Sequence, residues 1–204
     1  TFIKNDIVVF GVGGLGLLAV NAANKLKANP IIAIDLDDEK LEFSKKFGAT
    51  FTVNSKEVNP VEAIKKISKG GVDYVFDMVG TAEIREQTIL ASKDGVVGFK
   101  EGGTTVLVGF PDGVSEFNPR SILMGQRTYK GSRGGACIPE RDFPKFYSEY
   151  KKGDLYAISF YDKIMLGETG REAQIQHMSN TVRNMGKAGI PILGYHWIPN
   201  SVWR

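Results

Sequence analysis

Apolar residues in the first two thirds of the chain follow two alternating patterns. Short unbroken runs bounded by glycine or proline alternate with longer stretches in which apolar positions recur every three or four residues. Runs at 7–10, 31–34, 51–53, 74–78 and 105–108 predict strands, and 128–130 predicts a last short one. Leu15, Leu18, Ala19, Ala22, Ala23 and Leu26 repeat at helical spacing and predict a helix ended by Pro30. Residues 38–47 predict a second helix, closed by Gly48. Asn59 caps a third, with Pro60 at its first position and Glu62 placed for a capping box. Residues 82–91 and 141–152 predict two more. Apolar strands alternating with helices predict an α/β fold, a doubly wound parallel sheet with helices on both faces.

After Gly153 the pattern changes. Residues 156–161 are aromatic and predict a loop or short strand. Residues 171–187 predict a helix with Ile175, Met178, Val182 and Met185 on one stripe, ended by Gly189. A buried strand is expected at 190–193, and the chain stops soon after Trp197 with nothing to cover it. The last ~45 residues are therefore expected to be loosely ordered, because an unburied apolar face does not offset ordering entropy. The chain also opens almost directly on a buried strand, which gives the expectation of a missing upstream part. Two units follow: a nucleotide-binding domain over 1–155 and a separate segment over 156–204.

Composition narrows the function classes. Of 204 residues, 42% are hydrophobic and 24% charged, as in an ordinary globular protein. A net charge of +3 is too small to imply nucleic acid or an anionic membrane as partner. The lysine pairs at 45–46, 65–66 and 151–152 read as solvated helix faces. No apolar run approaches the ~20 residues of a membrane span, and no signal peptide precedes the first strand. The single cysteine, Cys137, permits no internal disulfide and fits a reducing, cytoplasmic compartment.

Candidate chemistry lies after the first strand. Gly11-Val12-Gly13-Gly14-Leu15-Gly16 matches G-x-G-x-x-G, a weak signal alone. Here it follows a strand, opens a helix and sits in a βαβ unit, which gives it meaning. Gly11 permits the tight turn, Gly13 lets the backbone approach a pyrophosphate, and Gly16 lets the helix pack on the strand. The helix N-terminus offers unpaired N–H groups to phosphate. Asp35 ends the second strand about 20 residues on, where the ribose of a dinucleotide lies in this Rossmann-type arrangement. A carboxylate there accepts from the 2′- and 3′-hydroxyls and repels a 2′-phosphate, which predicts NAD over NADP. A glycine turn without a ligand, or a methyltransferase, are the competing readings of the same residues.

These residues carry a family resemblance. The segment 6–155 resembles the cofactor-binding domain of zinc-type alcohol dehydrogenases, the medium-chain dehydrogenase/reductase superfamily. The matching stretches are GVGGLG (11–16), IIAIDLDDEKLEFSKKFGAT (31–50), GGVDYVFDMVG (70–80), TTVLVGF (104–110) and YKGSRGG (129–135). The resemblance implies that Asp35 and Lys40 meet the adenosine ribose. It implies that Val79 and Gly80 lie beside the nicotinamide ribose, and Val108 and Gly109 at the nicotinamide ring. It places Ser132 near the carboxamide, although the neighbouring Arg133 departs from the family's usual residue. It also implies small alcohols or aldehydes as substrates, and dimers through a sheet edge near 105–108 and Tyr129. The family's catalytic zinc belongs to an N-terminal domain with cysteine and histidine ligands. This chain has only Cys137, His177 and His196, in no ligand-like spacing. Zinc is thus expected only outside this chain, and the chain alone is expected to bind NAD(H) without oxidising an alcohol. A non-catalytic nucleotide-binding module is the alternative.

The stretch 161–204 resembles the N-terminal region of mannonate dehydratase, a metal-dependent TIM-barrel enzyme. KIMLGETGREAQI (163–175) and TVRNMGKAGIPILGYHWIPNSVWR (181–204) carry that resemblance. One helix, a glycine turn and one strand match a single barrel step, with Tyr195, His196 and Trp197 at the strand's carboxyl end. One step closes no barrel, so no dehydratase activity is expected; a chimeric or truncated reading frame is the simplest reconciliation, and a divergent dehydrogenase whose tail merely looks foreign is the alternative.

Overall fold

In a computed structural model of the chain, residues 5–111, 113–114 and 116–153 are described, together with 172, 173, 176 and 180. The strand at 190–193, the aromatic stretch at 156–161, most of the helix at 171–187, and both histidines lie outside the described residues.

The chain begins with β1 (Ile7–Phe10), α1 (Gly14–Lys25), β2 (Ile31–Asp35), α2 (Asp38–Lys45) and β3 (Phe51–Asn54). It continues with α3 (Pro60–Ser68), β4 (Tyr74–Asp77), α4 (Ala82–Ala91), β5 (Thr104–Leu107), α5 (Pro119–Gly125), β6 (Thr128–Gly131) and α6 (Pro139–Lys151). The strands form one parallel sheet in the order β3-β2-β1-β4-β5-β6. This is a Rossmann-type doubly wound α/β fold. The chain builds outward from β1 through β2 to β3, then crosses to β4 on the other side of β1. The carboxyl ends of β1 and β4 therefore flank the point where winding reverses, the place where such sheets open a crevice.

Alternation along the strands divides the core. Ile7, Val9, Ile31 and Ala33 face one side and pack with Val12, Leu17, Val20 and Ala23 of the α1 region and Leu41 of α2. Val8, Phe10, Ile32, Ile34 and Val75 face the other, with Ile64 of α3 and Ala91 of α4. Both faces of β1 and β2 are thus dry, which is why these strands read as unbroken apolar runs.

Helix starts follow local chemistry. The Asn59 side chain accepts from the N–H of Val61 (2.9 Å) and Glu62 (3.3 Å), and Asp37 caps α2 in the same way through Glu39 (2.9 Å). Some bounds differ from the sequence reading. β5 begins at Thr104 and ends at Leu107: the Val108 N–H makes the last ladder bond to the Asp77 carbonyl (2.9 Å), and the Gly109 N–H turns back to the same carbonyl (2.9 Å). α2 ends at Lys45, before Phe47. α5 was not expected, although Asn118 and Pro119 repeat the cap signature of Asn59 and Pro60. Its seven residues are too short for a periodic stripe to show.

Candidate crevice at the carboxyl ends of β1, β4 and β5

Gly11 leaves β1 with φ +82°, a left-handed turn that glycine adopts without strain. A Cβ at Gly16 would overlap the Gly11 carbonyl oxygen, so α1 rests directly on the loop backbone. Gly13 occupies the N-cap of α1 in extended conformation, with no side-chain cap and no acid in the first turn. Gly14 and Leu15 are exposed on that turn. This bare helix start leaves N–H groups and the positive dipole end open to an anion.

Asp35 ties the second strand to this loop. Its Oδ2 accepts from the Val12 N–H (2.9 Å), and its Oδ1 from Leu36 (2.8 Å) and Asp37 (3.2 Å). The carboxylate therefore sits beside the glycine loop at the carboxyl edge of the sheet. Lys40 stands on the first turn of α2, where its N–H points to Asp37 (3.4 Å), not to Asp35. Asp38 accepts from the Asn54 amide (2.8 Å).

Val79 and Gly80 form the turn after β4, and Val108 and Gly109 the turn after β5. The two turns meet backbone to backbone: a Cβ at Gly109 would lie 2.6 Å from the Gly80 nitrogen, and one at Gly80 would lie 2.7 Å from the Gly109 carbonyl. The Val79 side chain reaches across to Gly11, where a Cβ would lie 2.5 Å from it. Glycines at three strand ends thus let three turns close on one another. Ser132 follows β6 on the same edge, its N–H bonded to the Leu107 carbonyl (2.8 Å). The residues singled out from the sequence lie on the loop and first turn of α1, at the end of β2 and in the turns after β4, β5 and β6, with Lys40 on the first turn of α2.

Sequence reasoning passed over Asp77 and Arg85. Asp77 is fully buried, and its Oδ1 accepts from the N–H of Val79 (3.0 Å) and Gly80 (2.8 Å). Burial pushes its carboxyl above the usual carboxylate range, against the pull of those two N–H groups and of the Arg85 charge. Arg85, buried on α4, donates to the Gly80 carbonyl (2.8 Å). The signal was an acid closing an apolar strand, with glycine three residues on: such a charge requires partners.

Cys137 follows a 3-10 turn near Asp142. Burial and that carboxylate push its thiol above its ordinary value, so it is protonated at neutral pH. Among the described residues, no group of three His, Cys, Asp or Glu is placed to hold a metal ion. Among them, too, no helix is long and apolar enough to cross a membrane.

Comparison with known proteins gives one consistent family. A family model for zinc-binding dehydrogenases matches residues 14–152. An S-(hydroxymethyl)glutathione dehydrogenase of Haemophilus influenzae is 28% identical over 185 residues, covering 89% of this chain and 47% of that protein. A benzyl alcohol dehydrogenase from Acinetobacter calcoaceticus superposes with a TM-score of 0.69 at 31% identity, over 86% of this chain and 47% of that one. A zinc-binding dehydrogenase from Sinorhizobium meliloti, bound to NADP, gives 0.65 at 26%, over 75% of this chain and 43% of that one. The chain spans about half the length of the relatives it matches. Covering 89% of the chain, the Haemophilus match necessarily runs past residue 160, into the stretch where the sequence suggested a resemblance to mannonate dehydratase, a resemblance these comparisons do not show.

Proposed function

Because the chain belongs to the zinc-binding dehydrogenase family, we propose that residues 1–155 are its cofactor-binding domain and hold NAD(H) in the crevice where the sheet reverses. The observation that carries this reading is the bond from the Val12 N–H to Asp35 Oδ2 (2.9 Å), which sets a carboxylate beside a bare helix start. Gly13, Gly14 and Leu15 face the pyrophosphate, Gly11 shapes the turn, and Gly16 seats α1 against the loop and strand. Asp35 grips the adenosine ribose, with Lys40 on the adjoining helix turn. Val79, Gly80, Val108 and Gly109 line the nicotinamide half, and Ser132 lies near its carboxamide. The glycine contacts support the fit, because a side chain at Gly16, Gly80 or Gly109 would fill the space the turns use.

Bound cofactor supplies a hydride acceptor for alcohols, or a donor for aldehydes; this chain binds and orients it. The described residues offer no ligand set for zinc, so the family's metal chemistry is assigned to none of them. A second reading is a nucleotide-binding module without turnover; it rests on the sequence, where Cys137, His177 and His196 stand in no ligand-like spacing. No dehydratase function is proposed for 156–204, since the dehydrogenase match extends into it. A second copy of the chain pairing on β6, and a cytoplasmic setting suggested by the single cysteine, complete the reading.

Fluorescence titration with NADH tests it. Asp35→Ser should weaken NADH binding about tenfold, the worth of one charged hydrogen-bond pair, and should relax the preference for NAD over NADP. Unchanged preference in a folded variant removes Asp35 from the site. Alcohol assays with added zinc separate the two readings: binding without turnover selects the module.

A further inference from the structure

Asp77 does more than end a strand. Its carboxylate takes two N–H groups of the turn after β4, from Val79 and Gly80. Its carbonyl takes two from the turn after β5, from Val108 and Gly109 (2.9 Å each). One residue therefore holds both turns. Arg85 adds a third hold through the Gly80 carbonyl (2.8 Å), and the Tyr129 hydroxyl of β6 is buried near this pair.

Much of this cost is unnecessary for packing alone. Asp77 Oδ2 is buried with no hydrogen-bond partner among the described residues. An unsatisfied buried acceptor is expensive, and an apolar residue would end β4 without it. What the acid gains is direction: two N–H groups of one turn are drawn inward, which fixes where the Val79 side chain and the backbone of 79–80 stand against Gly109.

We propose that Asp77 is a positioning residue, assisted by Arg85, that sets the shape of the nicotinamide end of the crevice without touching the cofactor. This rests on the cofactor reading above. Asp35, at the end of β2, is separated from Asp77 by the whole of β1, so the two halves of a dinucleotide report separately on the two regions.

The experiment titrates the full chain with NADH and with AMP, which lacks the nicotinamide half. Asp77→Leu removes the acceptor, Asp77→Asn keeps an Oδ1 acceptor, and Arg85→Gln loosens the Gly80 hold without emptying the strand end. Asp77→Leu and Arg85→Gln should weaken NADH about tenfold or more, as expected for lost preorganisation, and leave AMP within about twofold. Asp77→Asn should restore most of the NADH affinity. Equal losses for AMP and NADH, or a folded Asp77→Leu that binds both normally, overturn the proposal. If Asp77→Leu does not fold, Arg85→Gln decides by the same split. Wild-type chain that binds neither ligand instead overturns the cofactor reading itself, and this inference falls with it.

Discussion

Gly16 has no room for even a methyl group, because the Gly11 carbonyl oxygen occupies the space where a Cβ would go. Alanine would improve helix propensity, yet here it forces α1 away from the loop. Gly16→Ala should cost about 2 kcal/mol through overpacking, or roughly 4–8 °C in Tm for a domain of this size. Gly131→Ala is the control, since nothing lies within 4 Å of its added Cβ. Thermal melting of both checks this, and equal Tm values would show that the helix does not rest on the loop as described. The turn at Gly11, the helix start at Gly13, the close packing at Gly16 and the place of Asp35 at the end of β2 were legible in the sequence, because spacing and residue type encode such local geometry. Asp77 was not, because its partners, Val79, Gly80 and Arg85, matter only once β4 is buried between β1 and β5.

Strands and helices were legible where one pattern ran long enough. β1 and α4 match the sequence reading residue for residue: β1 is an unbroken apolar run, and α4 begins just after the Gly80 turn. The end of β5 was misplaced by one residue, because Val108 is as apolar as the strand, and only the Gly109 N–H folding back onto the Asp77 carbonyl marks the turn. β6 raises a different matter. Among the described residues it pairs with β5 alone, its residues are largely exposed, and Leu123 and Met124 of α5 are exposed as well. An open edge strand is a template for a second chain. Light scattering should therefore give twice the 22.4 kDa of the chain, and a mass of one chain would remove β6 as a dimer edge.

Across the whole molecule, distant segments are joined at the amino ends of the strands, opposite the crevice. Lys93 bonds Asp6 (2.8 Å) and Asp73 (3.1 Å), three residues far apart in sequence and only about a quarter exposed or less. Burial pulls the Lys93 pKa down, but the bonds to Asp6 and Asp73 outweigh it and raise it above its ordinary 10.5. A raised pKa in the folded state means stability fully present below 10.5 and lost as pH rises through the higher folded value. Lys93→Met should be about 2 kcal/mol less stable at pH 8, as two part-buried carboxylates lose their cation. That gap should narrow above pH 10.5. Melting curves on both sides of that value check it, and a constant gap would show that Lys93 charge is not the source.

The sequence by itself determined the class of the fold, the glycine turn, the acid that follows it, and the Asn59 cap of α3, because each is a rule about neighbours a few residues apart. Only the tertiary structure decided which strands lie together, and with that the meeting of the turns at Gly11, Gly80 and Gly109. It also decided the burial of Asp77 and Arg85 beneath them. The physical reason is separation: a hydrogen bond from Val108 to Asp77, or from Lys93 to Asp6, depends on strand order, and no local pattern of residues carries strand order.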